Sequence, residues 1–409
     1  PLHHNFPLRR QLADQFLESC YETDKICSLV NFITNYSNSG LNDIAITKLP
    51  ELEEFIFENS DDLDSFNVEV LYNSFLFNLN SLRDSRELNI NLSKHIGRLY
   101  KERVINSKSA LHDIDKISNL TVSPNPRPLR IGFLSPHFGR HPVGWCSFDV
   151  IRELSQITPH IYLYTTGTLK PDHLTRQFEA VAEQHFWYED TKFNFDGRVN
   201  QLITDISQCQ LDVIIDLDSV TVPLGTHILC REHLAQVRLS WLGFDAPFVS
   251  SDNYWLGDRF THPEGVDQYY LEKILRLPEA HMAVSGFESA LIDRNEERKK
   301  LNIEADQVAY LYAAPARKFN RDSAKACISI LQQVPNSVLL YKGRGDHEVI
   351  RDIHTQTCNE LGVDPNRVKF LPSYKTEEEH RGMYAIADVF LDSYPYNGGS
   401  HNLEVLWCN

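Results

Sequence analysis

The sequence has no cysteine pair in CxxC spacing. Its eight cysteines, Cys20, Cys27, Cys146, Cys209, Cys230, Cys327, Cys358 and Cys408, are scattered over 409 residues. Structural zinc needs closely paired thiolates and secreted disulfide scaffolds are denser, so free thiols in a reducing compartment are expected. A basic surplus is also missing: 40 Lys+Arg stand against 56 Asp+Glu, a formal net charge of −16. Nucleic-acid backbones and anionic lipids call for a cationic surface, so neither is an expected partner, although a local basic pocket for one nucleotide is compatible with this balance. No apolar run approaches the roughly 20 residues of a membrane span, and the N-terminus has no apolar signal core. No GxxxxGK[ST] sequence occurs, which removes a P-loop ATPase. With 42% hydrophobic and 23% charged residues the chain has a globular composition, and its length suggests about two or three domains. A soluble, cytoplasmic protein is expected.

Three regions follow from the pattern. Residues 1–125 read as helical: Leu12, Phe16 and Cys20 recur at i, i+4 and i+8, and residues 68–82 and 88–100 show similar spacing. Asn38-Ser39-Gly40 breaks two helices. No 34-residue repeat is visible, so the region is expected only to be a helical surface for protein partners. Pro124-Asn125-Pro126-Arg127-Pro128 is a linker, because proline blocks helix continuation. Beyond it, short apolar runs at 130–135, 160–164, 211–217, 237–242 and 274–277 alternate with helix-length segments. The charged stretch 294–300 closes this unit, and runs at 308–313, 337–341, 368–371 and 389–391 form a second series, separated by helical segments at 322–333, 347–361 and 376–386. Such alternation predicts βαβ units with parallel sheets. The expected organisation is a helical region 1–125, a first Rossmann-like domain 129–300 and a second 301–409.

Ligands of open α/β sheets bind beyond the carboxyl ends of the strands, so polar residues just after each strand are the candidates. Ser135-Pro136-His137-Phe138-Gly139-Arg140-His141-Pro142-Val143-Gly144-Trp145 follows the first strand. Gly139 and Gly144 would let backbone approach a ligand, and His141 titrates near neutrality; the plain alternative is an exposed loop. Arg317-Lys318 precedes a helix whose N-terminus, with the lysine, suits a diphosphate; the alternative is an exposed basic pair. Tyr394-Pro395-Tyr396-Asn397-Gly398-Gly399-Ser400-His401-Asn402-Leu403-Glu404 is a Gly-rich turn into a helix, offering N–H groups to phosphate and a carboxylate to a ribose. Its plain reading is a helix entry with Ser400 as N-cap. Asp216 and Asp218 flank Leu217 at a strand end, where alternation turns both carboxylates to one face; hydrogen bonds in the cleft are expected there rather than a metal.

These segments, in order from about residue 129 to 407, resemble the catalytic region of the O-GlcNAc transferase family, glycosyltransferase family 41. That family also holds SPINDLY-type protein O-fucosyltransferases and bacterial cytoplasmic N-glucosyltransferases. Four linked blocks carry the resemblance: residues 130–145 with the core Phe138-Gly139-Arg140-His141-Pro142, then Gln236-Val237-Arg238-Leu239-Ser240-Trp241-Leu242-Gly243, then Val334-Pro335-Asn336-Ser337-Val338-Leu339-Leu340, and finally His380 through Ala387-Asp388-Val389-Phe390-Leu391-Asp392 to Asn397-Gly398 and Leu403-Glu404-Val405-Leu406-Trp407. His-Pro-Val-Gly-Trp and Asp-Ser-Tyr-Pro-Tyr-Asn-Gly are similar to the bacterial, especially cyanobacterial, branch.

The resemblance implies an α/β, GT-B-like pair of Rossmann-like domains behind a helical N-terminal region. It implies transfer of a sugar, most often from UDP-N-acetylglucosamine, to Ser or Thr of proteins, with inversion and with neither metal nor other cofactor. By the same resemblance His141 and Lys318 are catalytic, the lysine stabilising the leaving diphosphate. Arg317, His380, Asn397, Gly398, Gly399, Ser400, His401 and Glu404 fall in the donor site, with His380 near the base and Glu404 on the ribose. His137, Asp212 and Asp218 lie on the acceptor side, and His141, Asp212 or a water relay could serve as base. The chain departs from the pattern where His137 replaces a common Asp and where residues 399–402 replace a Thr-rich run. It also stops at Asn409, so the second domain is expected to be incomplete. A different donor or acceptor (GDP-fucose, UDP-glucose), or a non-catalytic nucleotide- or protein-binding module, are the competing readings.

Overall fold

The computed structural model describes residues 5–106, 127–188, 195–231 and 233–408. The linker residues 124–126 lie outside them. Packing divides the chain into two units, neither of them continuous in sequence. One comprises Pro1–Ser60, Asn78–Ser85 and Gly286–Asn409; the other comprises Asp61–Phe77 and Arg86–Ser285.

In the second of these units, seven strands form one sheet: β1 (Ile131–Ser135), β2 (Ile161–Thr165), β3 (Gln184–Trp187), β4 (Val213–Asp216), β5 (Val237–Ser240), β6 (Tyr254–Asp258) and β7 (Lys273–Leu277). Their order is β3-β2-β1-β4-β5-β6-β7, and every pairing is parallel. β1 and β2 are buried at all five positions. A strand covered on both faces needs a continuous apolar run, which is why these two are visible in the sequence. β3 and β6 are not visible there. β3, Gln184-His185-Phe186-Trp187, is a polar edge strand, and β6 breaks its apolar run with Gly257 and Asp258. The order reverses between β1 and β4, which opens a crevice at their carboxyl ends.

The other unit holds a four-stranded sheet, β8 (Val308–Ala313), β9 (Ser337–Lys342), β10 (Val368–Phe370) and β11 (Val389–Leu391), in the order β10-β9-β8-β11. All three pairings are parallel. Ile328 and Leu331 of helix Arg321–Gln333 and Ile350 and Ile353 of helix His347–Leu361 pack with Leu339 and Tyr341 into one core. Here the order reverses between β8 and β11. The architecture is therefore α/β, with two parallel Rossmann-like sheets and helices ahead of them.

Those leading helices are shared between the units rather than standing apart as a region 1–125. Helix Lys25–Ser39 ends at Gly40, whose φ of 93° is left-handed and free of cost only for glycine. The chain then turns so that Asn42 Nδ2 donates to the carbonyls of Arg317 (2.7 Å) and Phe319 (2.8 Å). Arg10 pairs with Asp346 at 2.7 Å, and Asp346 in turn caps helix His347–Leu361. By contrast, the Tyr72 hydroxyl donates to the carbonyl of Pro247 at 2.8 Å and Tyr72 stacks on Tyr100, both within the larger-sheet unit. Residues 68–82 and 88–100 are helical as their spacing predicts, each with a π-helical turn, at Leu71–Phe75 and directly after at Lys101–Ile105. The face drawn by Leu12, Phe16 and Cys20 is corrected. Helix Phe6–Cys20 buries Ala13 instead, and Leu12 is exposed, because a small residue lets the helix lie close to Lys25–Ser39. No helix among the described residues is long and apolar enough to cross a membrane.

His354 is 2% exposed within a cage of Phe319, Tyr341 and Phe370, and neither ring nitrogen has a hydrogen-bond partner. Burial brings its imidazolium down from 6.5 to about 4. The unfolded chain therefore binds the proton better, and stability is lost as pH falls from 6.5 towards 4. The loss should reach about 3 kcal/mol. Denaturant titrations at pH 7 and pH 4 should show that His354→Leu loses less stability than wild type by about this amount; equal losses would refute it.

Candidate active site

A cavity of about 970 Å3 lies over the carboxyl ends of β8, β9, β10 and β11. Its wall includes Lys318, Lys342, His380, Asp392, Gly398 and His401, together with Phe6 and Pro7 of the first helix. Lys318 follows β8 in the 3-10 turn Ala316–Lys318. Its Nζ donates to the carbonyl of Asn397 at 2.7 Å and lies 4.2 Å from the centre of the Tyr396 ring, so it joins the loop after β8 to the loop after β11 at the point where strand order reverses. Burial, with Arg317 beside it, brings the Lys318 ammonium down to about 8 against the pull of Asp392. Lys342, the last residue of β9, is likewise brought down to about 8 by burial, against the pull of Glu404. Its Nζ faces the Tyr374 ring at 4.7 Å and has no hydrogen-bond partner among the described residues. Two partly dehydrated ammonium groups on one wall make a ready seat for an anion, whose arrival would favour the charged form of both.

Asp392, directly after β11, organises the glycine turn. Its carboxylate accepts the N–H of Ser393 (2.7 Å) and of Gly398 (2.8 Å), as well as Asn402 Nδ2 (2.8 Å). Burial pushes this carboxyl up, but the hydrogen bonds outweigh burial and hold it below the usual range. Behind the wall residues His380 and His401, the buried Tyr384 hydroxyl lies 2.8 Å from His380 Nε2 and 3.1 Å from His401 Nδ1. Glu404 is buried and Arg381 Nε donates to its Oε1 at 3.0 Å, while Oε2 lies 3.7 Å from His401 Nδ1. His380, His401 and Glu404 bring one possible ligand atom each within 4.8 Å of one another. A cation there would face the Arg381 guanidinium, which is bonded to Glu404.

In the other unit, β1 ends at Ser135 and β4 at Asp216, next to one another in the sheet. Ser135 Oγ donates to Asp218 Oδ2 at 2.6 Å, and His137 Nδ1 lies 2.6 Å from Asp218 Oδ1. The His137 and His141 rings stack with centres 3.6 Å apart and 10° between planes. His141 is the N-cap of helix Pro142–Ile157, its Nδ1 accepting the N–H of Val143 at 3.3 Å. Burial, then the neighbouring His137, brings the His141 imidazolium down to about 4, against Asp218. Gly144 is needed for the loop itself, since a Cβ there would sit 2.0 Å from the Gly139 carbonyl oxygen.

The structure thus brings Lys318, His380, Gly398 and His401 onto one wall, and His137, His141 and Asp218 together at another crevice. Other residues fall elsewhere. Arg317, Asn397, Gly399, Ser400 and Glu404 do not line the cavity. Asn397 supplies its carbonyl to Lys318 and turns its amide to Asp392 at 3.2 Å; Gly399 and Ser400 open helix Ser400–Cys408. Asp212 is corrected. β4 starts one residue later, so Asp212 sits at the amino end of the sheet, bound by Arg127 at 2.8 Å and by the Arg130 N–H at 2.8 Å, away from the crevice. Asp216 and Asp218 also do not share a face. Asp216 ends the strand and accepts the N–H groups of Asp218 and Ser219, whereas Asp218 lies beyond the strand and turns to His137. Sequence reasoning missed Lys342 and Asp392 as wall residues, although both stand at strand ends, where the same rule directs attention, and it missed buried Tyr384 behind His380 and His401.

Residues 290–409 match the model of Glycosyl transferase family 41. A rice protein named probable UDP-N-acetylglucosamine–peptide N-acetylglucosaminyltransferase SPINDLY is 25% identical over 286 residues, which is 69% of this chain and 30% of the rice protein. The corresponding SEC protein of Arabidopsis thaliana is 23% identical over 288 residues, 68% of this chain and 28% of its own length. The chain therefore spans less than a third of the length of these curated relatives. Among solved structures, a mutant of the Thermobaculum terrenum O-GlcNAc transferase matches over 99% of this chain and 78% of its own, with TM-score 0.61 and 19% identity, a likeness of fold.

Proposed function

We propose that the protein is an inverting, metal-independent glycosyltransferase of the cytoplasm. In this reading it carries N-acetylglucosamine from UDP-N-acetylglucosamine to Ser or Thr of proteins, and its two Rossmann-like sheets work as a GT-B pair. The observation that carries this reading is Lys318, a dehydrated ammonium in the cavity at the β8/β11 reversal, within the segment that matches family 41. An acceptor hydroxyl attacks the anomeric carbon while the bond to the diphosphate breaks. Negative charge grows on the leaving diphosphate, and a fixed ammonium stabilises that charge more than it stabilises the ground state. Lys318 and Lys342 supply the positive field, and His380 and His401 supply ring faces and N–H groups further along the wall. The relatives' names, which specify peptide acceptors and UDP-N-acetylglucosamine, support the choice of donor and acceptor.

A second donor, GDP-fucose or UDP-glucose, is favoured by one observation: Gly399 and Ser400, in the stretch that departs from the Thr-rich run, do not line the cavity. Calorimetry with UDP and GDP, followed by transfer of label from UDP-N-acetylglucosamine to lysate proteins, decides between them. Micromolar UDP binding with labelled protein is expected. Preference for GDP would overturn the choice of donor, and failure of both nucleotides to bind would overturn the enzyme reading.

A further inference from the structure

We propose that His137, oriented by Asp218, is the general base that receives the acceptor hydroxyl proton, with His141 beside it as a neutral hydrogen-bond donor. This rests on the glycosyl-transfer reading and deepens it.

The argument starts from ring nitrogens. At 2.6 Å from a carboxylate oxygen, His137 Nδ1 carries the proton and donates to Asp218 Oδ1. That leaves Nε2 unprotonated, and it has no hydrogen-bond partner among the described residues. The backbone fixes the other ring in the opposite sense. Val143 N–H donates to His141 Nδ1, so the His141 proton is on Nε2 and this ring can only donate outward. The two rings lie face to face at 3.6 Å, where two imidazolium ions would repel. Of the two, it is His137 that touches a carboxylate, Asp218. The burial of His141 at a helix N-terminus acts in the same direction, holding it neutral.

Asp218 is itself held in place. It is 1% exposed, and its second oxygen accepts the Ser135 hydroxyl at 2.6 Å, while Ser135 Oγ accepts the His137 N–H at 2.9 Å. Side chain and backbone of His137 are thus tied to the same carboxylate–serine pair. Burial and the adjacent Asp218 push the Asp216 carboxyl well above its usual range, and its two oxygens are taken up by the N–H groups of Asp218 and Ser219. The groups that face His137 are therefore Asp218, Ser135 and His141, at the carboxyl ends of β1 and β4 where the strand order reverses.

In the reaction, a lone pair of the acceptor oxygen forms the bond to the anomeric carbon. The bond from that carbon to the diphosphate oxygen breaks, and its electron pair leaves with the diphosphate. The hydroxyl proton passes to His137 Nε2, and the imidazolium formed is shared with Asp218. His141 Nε2–H donates to the acceptor or the sugar and holds it in line.

The test compares the wild-type chain with His137→Ala, His137→Gln and Asp218→Asn. It measures transfer of label from UDP-N-acetylglucosamine to protein and UDP affinity by calorimetry. A general base contributes on the order of 10²–10⁴ in rate, so His137→Ala should lose that much in kcat with UDP affinity unchanged. Added imidazole should restore part of the activity of His137→Ala and none of His137→Gln, whose side chain fills the space. Asp218→Asn should lower kcat while retaining the fold. Wild-type kcat in His137→Ala or His137→Gln overturns the proposal and leaves the enzyme reading standing. So does a folded, UDP-binding His137→Ala that imidazole cannot rescue. A wild-type chain that binds UDP but labels no protein overturns both.

Discussion

Lys318→Ala is expected to lower sugar transfer by on the order of 10²–10³ in kcat, the usual loss when one fixed stabiliser of a developing anion is removed. The fold should survive. Lys318 lies at the cavity wall, and its one described hydrogen bond, to the Asn397 carbonyl, can be replaced by water. The variant should therefore keep its melting temperature to within a few degrees. The pH profile provides an independent check. The charged form of Lys318 does the work, and burial has brought its loss of proton down to about 8. Activity of the free enzyme, read as kcat/KM, should then show an alkaline limb, falling as pH rises through that value. The alkaline limb should vanish from the residual activity of Lys318→Ala and move beyond the measurable range in Lys318→Arg, because a guanidinium stays charged. Wild-type kcat in Lys318→Ala would remove the lysine from the mechanism.

Glu404→Leu is expected to destabilise its unit by about 3 kcal/mol, at the lower end of the 3–5 kcal/mol typical when one partner of a buried ion pair is removed. Arg381 is 3% exposed and its guanidinium sits 4.8 Å from the Phe287 ring, so water cannot take over from the lost carboxylate. The lower end applies because Arg381 keeps the Glu288 carbonyl at 3.1 Å and Glu377 at 3.6 Å. Urea titration measures this loss. Changing Arg381 to Leu as well should recover much of it, since a wholly apolar replacement leaves no orphaned charge. The same variant separates two roles of Glu404. A carboxylate serving only a ribose would weaken UDP binding without moving the urea midpoint, whereas the Arg381 pair requires the midpoint to move.

The fold was largely legible because both sheets are parallel and strands such as β1, β2 and β9 are covered on both faces. Strands such as Phe133-Leu134 or Leu339-Leu340-Tyr341 must then be apolar throughout, and the segments between them must be helix-length. β3 and β6 escaped because an edge strand and a glycine-interrupted strand carry little of that signal. At the site, position after a strand located Lys318, His137 and Gly398 without any knowledge of side-chain direction. Direction is where the reading failed. Asp212, second in the apolar run 211–217, sits just ahead of β4 at the amino end of the sheet, and the turn after Asp216 sent Asp218 to His137 rather than alongside its neighbour. The pairing of Glu404 with Arg381 spans 23 residues along the chain and depends on two helices meeting, which no local pattern encodes. The pattern of residues 68–82 gave its helices correctly, yet which sheet each leading helix would join was not encoded in its own periodicity.

The interleaving of the leading helices has a consequence for how the gene can be divided. The polypeptide passes from one packing unit to the other near Ser60, back near Asn78, across again near Arg86 and returns at Gly286. No single uninterrupted stretch of codons therefore specifies either unit, and a cut anywhere between residues 1 and 285 severs the covalent thread of a body whose remainder is encoded on the far side. Recombination with a relative could exchange these two bodies only by swapping several pieces at once, so inheritance of the helices and the sheets is tied together.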